Sequence, residues 1–172
     1  MKTYVQAILT LTVLAITANG GYAQPVEIKR IDLAEYGMYR AAIVTAKRDD
    51  KGVLQSSLDD IQHIKTTVNI PAQIGIRFGI RFTPVGTPKG AIVKLKKVVL
   101  FPAPLQPNSG PPISRSVTML TAALGETQYT DYGFDDPWEL VTGTWVIELW
   151  AGERKLASQI YTVFNPTTDA AK

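Results

Sequence analysis

The sequence predicts an all-β domain, a single β-sandwich of about seven to eight strands. Three observations carry that expectation. Apolar residues recur with a period of two, most clearly at Ile74, Ile76, Phe78, Ile80 and Phe82, with Gly75, Arg77, Gly79, Arg81 and Thr83 between and after them. Such alternation marks a strand with one buried and one wet face. No long segment shows the 3.6-residue period of a helix able to cover a sheet, and turn-forming Gly and Pro clusters punctuate the chain.

In chain order, residues 1–23 read as a secretory signal peptide. Lys2 precedes an apolar run of twelve, Ala7 to Ala18, too short to span a bilayer as a stable helix. Gly21-Tyr22-Ala23 places small residues three before and one before a cut ahead of Gln24. The expected mature domain is therefore 24–172, periplasmic or secreted, with no membrane span once the leader is removed.

Val26 to Leu33 and Tyr36 to Ala46 read as two strands, and Lys47 to Gly52 (KRDDKG) as a charged turn. Ser57 to Ile61 suits one helical turn capped by Ser57, with Asp60 as its reciprocal partner. Ile64 to Ile70 alternates as a strand, and Ile74 to Phe82 follows. Thr83 to Gly90 (TPVGTPKG) is turn chemistry. In the strand Ala91 to Phe101 the apolar parity changes across Lys96-Lys97, which predicts a β-bulge. Five prolines within residues 102–112 predict a long crossover loop. Pro104-Leu105-Gln106-Pro107 as a polyproline ligand is the sharper reading, but an exported chain has few such readers to meet. Val117 to Leu124 and Glu126 to Thr130 are further strand candidates. Trp145, Ile147 and Leu149 begin a hairpin that turns at Ala151 to Arg154 and returns along Leu156 to Phe164.

Composition narrows the function classes. The 172 residues hold no Cys and one His, which excludes disulfide scaffolds, thiol enzymes and multi-histidine metal sites. Without residues 1–23 the chain keeps 17 basic residues against 15 acids, a net +2 and too small a surplus for a nucleic-acid stripe. His63 stands near Asp59, Asp60, Ser56 and Ser57, but no nucleophile elbow accompanies it. A solvated loop histidine is expected there.

The segment Asp131 to Glu139 concentrates four acids, Asp131, Asp135, Asp136 and Glu139, among Tyr129, Tyr132, Phe134 and Trp138. Dense carboxylates suit Ca²⁺, although the spacing does not match an EF-hand loop. Aromatics with carboxylate acceptors suit a shallow sugar site, and a carboxylate pair suits a glycoside hydrolase. The structural reading leads: Trp138 and Leu140 plug one end of the sandwich, while Asp135 or Glu139 accepts backbone N–H groups left by the turn before Pro137.

Arg77 and Arg81 form an outward basic row, either a solvated face or a patch for an anion or partner. Lys94, Lys96 and Lys97 read as edge protection. Trp150 lies on the outward parity of its strand near a hairpin tip, either covered or available for contact.

The Phe134-Asp135-Asp136-Pro137-Trp138-Glu139-Leu140 cluster, with Gly143-Thr144-Trp145, Tyr36-Gly37-Met38-Tyr39, Ile70 to Gly79 and Arg154-Lys155-Leu156-Ala157, resembles the bacterial family of domain of unknown function 3859 over about residues 27–164. The resemblance implies an envelope-facing all-β domain with no assigned activity and no catalytic residues to carry over. Gly143-Thr144-Trp145 entering a hairpin is similar, more loosely, to the last two strands of immunoglobulin-like domains. The resulting expectation is a non-catalytic interaction module without cofactor or metal, whose partner is an envelope protein or a polysaccharide. The contact candidates are Tyr132, Asp135, Asp136, Trp138, Glu139, Arg77, Arg81 and Trp150.

Overall fold

A computed structural model describes residues 24–49, 52 and 54–166. The leader proposed for residues 1–23 lies outside the described residues. Nine strands form two sheets: β1 (Glu27–Arg48), β2 (Leu54–Lys65), β3 (Asn69–Pro71), β4 (Arg77–Thr87), β5 (Ile92–Leu105), β6 (Ile113–Ala123), β7 (Gln128–Gly133), β8 (Gly143–Ala151) and β9 (Arg154–Phe164). Sheet A runs β2-β1-β4-β7, and sheet B runs β3-β9-β8-β5-β6. All pairs are antiparallel except β3 with β9.

The inward parity anticipated for the Ile74 stretch holds from Phe78 onward. Phe78, Ile80 and Phe82 face Trp145, Ile147, Leu149 and Tyr161 across the sandwich, none more than 1% exposed. Each such side chain contributes about 1.5–3 kcal/mol by leaving water. Phe78 sits 5.0 Å from the Tyr161 ring and 5.9 Å from Trp145, both edge-on. The Tyr161 hydroxyl donates to the Gly79 carbonyl at 2.5 Å and so ties sheet B to sheet A through the core.

Several boundaries differ from expectation. The two N-terminal strands are one strand of 22 residues, whose first half pairs with β4 and second half with β2. Gly37 makes this possible: a Cβ there would lie 2.0 Å from the Lys65 carbonyl, and its φ of +139° suits glycine alone. Ser57 to Ile61 is not a helical turn but part of β2, since pairing with β1 satisfies backbone groups that a lone turn leaves open. Thr83 to Thr87 stays in β4, held against Glu27 to Asp32, so the turn shortens to residues 88–90. The bulge expected at Lys96-Lys97 is absent. The β5–β6 register runs unbroken from Ile92 to Leu100, because Lys97 shares the inward parity of Val93, Leu95 and Val99. The register breaks instead between Leu100 and Leu105, where Pro102 and Pro104 cannot donate to a ladder.

The β1–β2 hairpin departs from sheet A as an arm. Three register shifts between its strands coil it. Arg81 of β4 donates to the Ile61 carbonyl of β2 at 2.9 Å although β1 separates the two strands in the sheet. Further along, Leu54 and Ser56 line one small cavity with Arg77 of β4 and Ser116 and Thr118 of β6. The arm therefore lies across the outer side of sheet A and reaches the seam between the two sheets.

Candidate functional site

The acidic segment begins in edge strand β7 and ends in a single 3₁₀ turn, Pro137–Glu139. Glu139 points inward and is 1% exposed. Its carboxylate accepts from the Tyr132 hydroxyl at 2.7 Å, the Asp135 amide at 2.7 Å and the Asp136 amide at 2.8 Å. Burial pushes its pKa up, against the pull of those three donors. Burial and the Glu139 charge together push the Tyr132 phenol well up, so it stays a donor. Trp145 donates from its indole to the Val141 carbonyl at 2.8 Å, which pins the exit of the turn. Glu139 and Tyr132 are thus the structural lock that the sequence suggested for Glu139, and neither offers a free atom to a ligand.

The other acids are held apart by basic partners. Asp131 takes the Arg77 guanidinium at 2.6 Å, and both residues are buried. Asp135 stands 3.8 Å from the same guanidinium, and burial raises its carboxyl above the usual range. Asp136 receives both terminal nitrogens of Arg48 from the arm, at 2.6 and 3.1 Å. Among the described residues no three acids or histidines come together as a group that could hold a metal ion. Asp131 and Asp135 share Arg77, Asp136 takes Arg48, and Glu139 takes the Tyr132 hydroxyl and two backbone amides. The aromatic platform does not form either: Tyr132 and Phe134 are in the core and 6% and 0% exposed, while Trp138 packs half-buried against it.

Arg77 corrects the expectation of a solvated row. It has the outward parity but is 8% exposed, beneath the arm. Burial opposes its charge, and Asp131 more than offsets that, which keeps the guanidinium above its ordinary value. Gly133 supplies the space, since a Cβ there would meet the guanidinium at 2.7–3.1 Å. Lys97 reaches the same place from sheet B and donates to the Asp131 carbonyl at 2.9 Å. Burial lowers its pKa. Lys97 is therefore not an exposed edge charge: it protects the β7 edge by occupying a carbonyl. Arg77, Lys97, Asp131, Asp135 and Glu139 line a cavity of about 50 Å³, room for a water or two and no larger ligand.

Arg81 is half-buried in a second network, 3.1 Å from Glu35, whose carboxylate also takes the Tyr39 hydroxyl at 3.1 Å and meets His63 Nδ1 at 3.3 Å. His63 is therefore a strand residue bracing the arm. Its ring lies 5.1 Å from that of Tyr39.

At the tip of the arm a shallow cleft of about 140 Å³ lies between Trp138, the Arg48–Asp136 pair, Asn108 and Ser109. It is where the structure leaves Trp138 and Asp136 within reach of solvent.

The outer face of sheet B is arranged differently. Trp150 is half-buried there, its indole donating to Glu148 at 2.9 Å, with the ammonium groups of Lys96 and Lys155 5.4 and 5.7 Å from its ring. Lys155 closes on Glu148 at 2.9 Å. Around this cluster, on the same parity, Ile92 (65%), Met119 (61%), Ile160 (57%) and Val117 (45%) are exposed. Register places Val98 beside Val117, Lys96 between Trp150 and Met119, and Val146 between Leu100 and Ile160. The exposed aliphatics are the residues that sequence reasoning missed. Their signal was present in strands with apolar residues on both parities, such as Val98-Val99-Leu100.

Comparison with known proteins agrees with this architecture. The chain is similar to an immunoglobulin-like protein from Pseudomonas aeruginosa, with 25% identity and a TM-score of 0.57, over 81% of this chain and 97% of that one. A β-D-glucoside glucohydrolase from Trichoderma reesei superposes at a TM-score of only 0.35 with 9% identity, over 78% of this chain and 19% of that one, and carries no argument. No curated protein matches the sequence at a significant level. The model of domain of unknown function 3859 matches residues 28–163, the span over which the sequence motifs run, and the chain belongs to that family.

Proposed function

We propose that this domain is a non-catalytic interaction module that acts after export and holds an envelope protein against the outer face of sheet B. The observation that carries the reading is the open apolar face: Ile92, Val117, Met119 and Ile160 are each at least 45% exposed around a half-buried tryptophan. Contiguous apolar surface rimmed by polar groups marks contact sites, and tryptophan is favoured at their centres. The rim sets the chemistry of the partner. Lys94 and Arg115 stand toward its β6 side, while Lys96, between Trp150 and Met119, and Lys155 lie against Trp150 itself, facing Glu148, already closed by Lys155, and Glu153. A partner with apolar side chains and an acidic border complements it. The site residues favoured in this reading are Trp150 and its neighbours, with Arg77 and Arg81 serving the fold.

The test is capture of one envelope protein by the immobilised domain at fixed stoichiometry. Ile160→Glu abolishes capture, added salt weakens it, and Arg81→Ala leaves it unchanged. Capture that survives Ile160→Glu contradicts the reading. A second reading, a saccharide held in the cleft beside Trp138, is favoured by the half-buried indole next to the Arg48–Asp136 pair and two polar side chains. Quenching of tryptophan fluorescence by chitotriose, lost in Trp138→Phe, supports it over the first.

A further inference from the structure

A free strand edge exposes unpaired backbone donors and acceptors, and proteins blunt such edges by short length, bulges, prolines or charge. Three of the four marginal strands here are treated in these ways. β3 has three residues and ends in Pro71. β2 is broken by three register shifts and carries Asp59, Asp60 and Lys65. β7 has six residues, and Lys97 occupies its Asp131 carbonyl.

β6 has fewer of these devices, and Leu54 and Ser56 of the arm approach only the inward-facing Ser116 and Thr118, with which they line one cavity. Its eleven residues include no proline, Arg115 is the one charge, and its register against β5 is unbroken from Arg115 to Ala123. Val117 and Met119, 45% and 61% exposed, point outward on either side of Thr118.

We propose that β6 pairs antiparallel with β6 of a second copy of this chain, about a two-fold axis through Thr118. The sequence around that residue is self-complementary in this register. Val117 faces the second copy's Met119 on the outer side, an apolar pair at each flank of the axis. Arg115 faces Thr121, so the two arginines stand six residues apart along the ladder, roughly 20 Å, beyond a Debye length in physiological salt. No like charges meet, and the arrangement closes as an isologous pair. The two five-stranded B sheets become one of ten, and their exposed outer faces become continuous. This pairing is independent of any envelope partner.

Sedimentation equilibrium on the exported chain tests it. A reversible dimer is expected, with the double variant Val117→Lys/Met119→Lys weakening it at least 100-fold because lysines then face each other across the axis. Both side chains are exposed, and near-UV circular dichroism from buried Trp145 verifies that the fold is kept. Ile160→Lys, on the same face but on β9, leaves the dimer intact while it removes envelope capture, so the two proposals fail separately. A chain that stays monomeric at millimolar concentration overturns the inference, and so does a dimer that Ile160→Lys breaks and the double variant does not.

Discussion

The outer faces of the two sheets began as the same kind of surface. Each is the side of a sheet turned from the core, and each carries basic residues alternating with the buried parity. On sheet A the chain folds its own arm across that side, and Arg77, Asp131 and Tyr39 end below 10% exposure in paired networks. On sheet B nothing in the described chain covers it, and Ile92, Met119 and Ile160 stay more than half exposed. Outward parity therefore does not mean solvent. What decides is whether a distant segment returns, and here a 22-residue strand does so on one side only.

The largest expected effect lies under the arm. Arg77→Ala leaves Asp131 buried and unpaired, which costs about 3–5 kcal/mol. Asp131→Ala costs a similar amount, and the double variant less than the two together, because the partners are coupled. Urea melts of the four proteins measure this; strict additivity breaks the account of a closed ionic face. Next is Glu139→Ala, which orphans the Tyr132 hydroxyl and two amides and costs about 3 kcal/mol or more. That lowers the thermal midpoint by roughly 6–12 °C for a domain of this size.

A smaller effect distinguishes Asp135, and it depends on pH. Burial raises its folded pKa above the unfolded value, so the folded state holds the proton more tightly. Its contribution to stability is fully present below the unfolded pKa and is lost as pH rises through the folded one. Asp135→Asn therefore raises the midpoint slightly at pH 7, and the gain disappears below about pH 4. The smallest effect belongs to sheet B: Met119→Glu and Ile160→Glu change stability by no more than about 0.5 kcal/mol. A larger loss shows that those side chains are covered.

Much of this was readable from residues alone. The alternation of Phe78, Ile80 and Phe82 and of Trp145, Ile147 and Leu149 located both core faces, and the Ala151 to Arg154 turn located the closing hairpin, because period two and turn chemistry are local signals. Glu139 as an acceptor for turn amides was readable because the constraint lies within four residues. The arm was not. Its two strands pair with each other and cover Arg77 through contacts at long sequence separation, which no local pattern encodes. For the same reason the aromatics of the acidic segment looked like a platform: Tyr132 and Phe134 share a parity with the core, and only the sandwich shows that the core occupies that side.

The most direct measurement is oxidative footprinting of the domain, alone and with an envelope extract. The account predicts that Met119, Trp150 and Ile160 are reactive in the free domain and protected in the complex, while Tyr39 and Tyr132 are unreactive in both. Protection that appears instead around Tyr36 and His63, with Met119 and Ile160 unchanged, contradicts it.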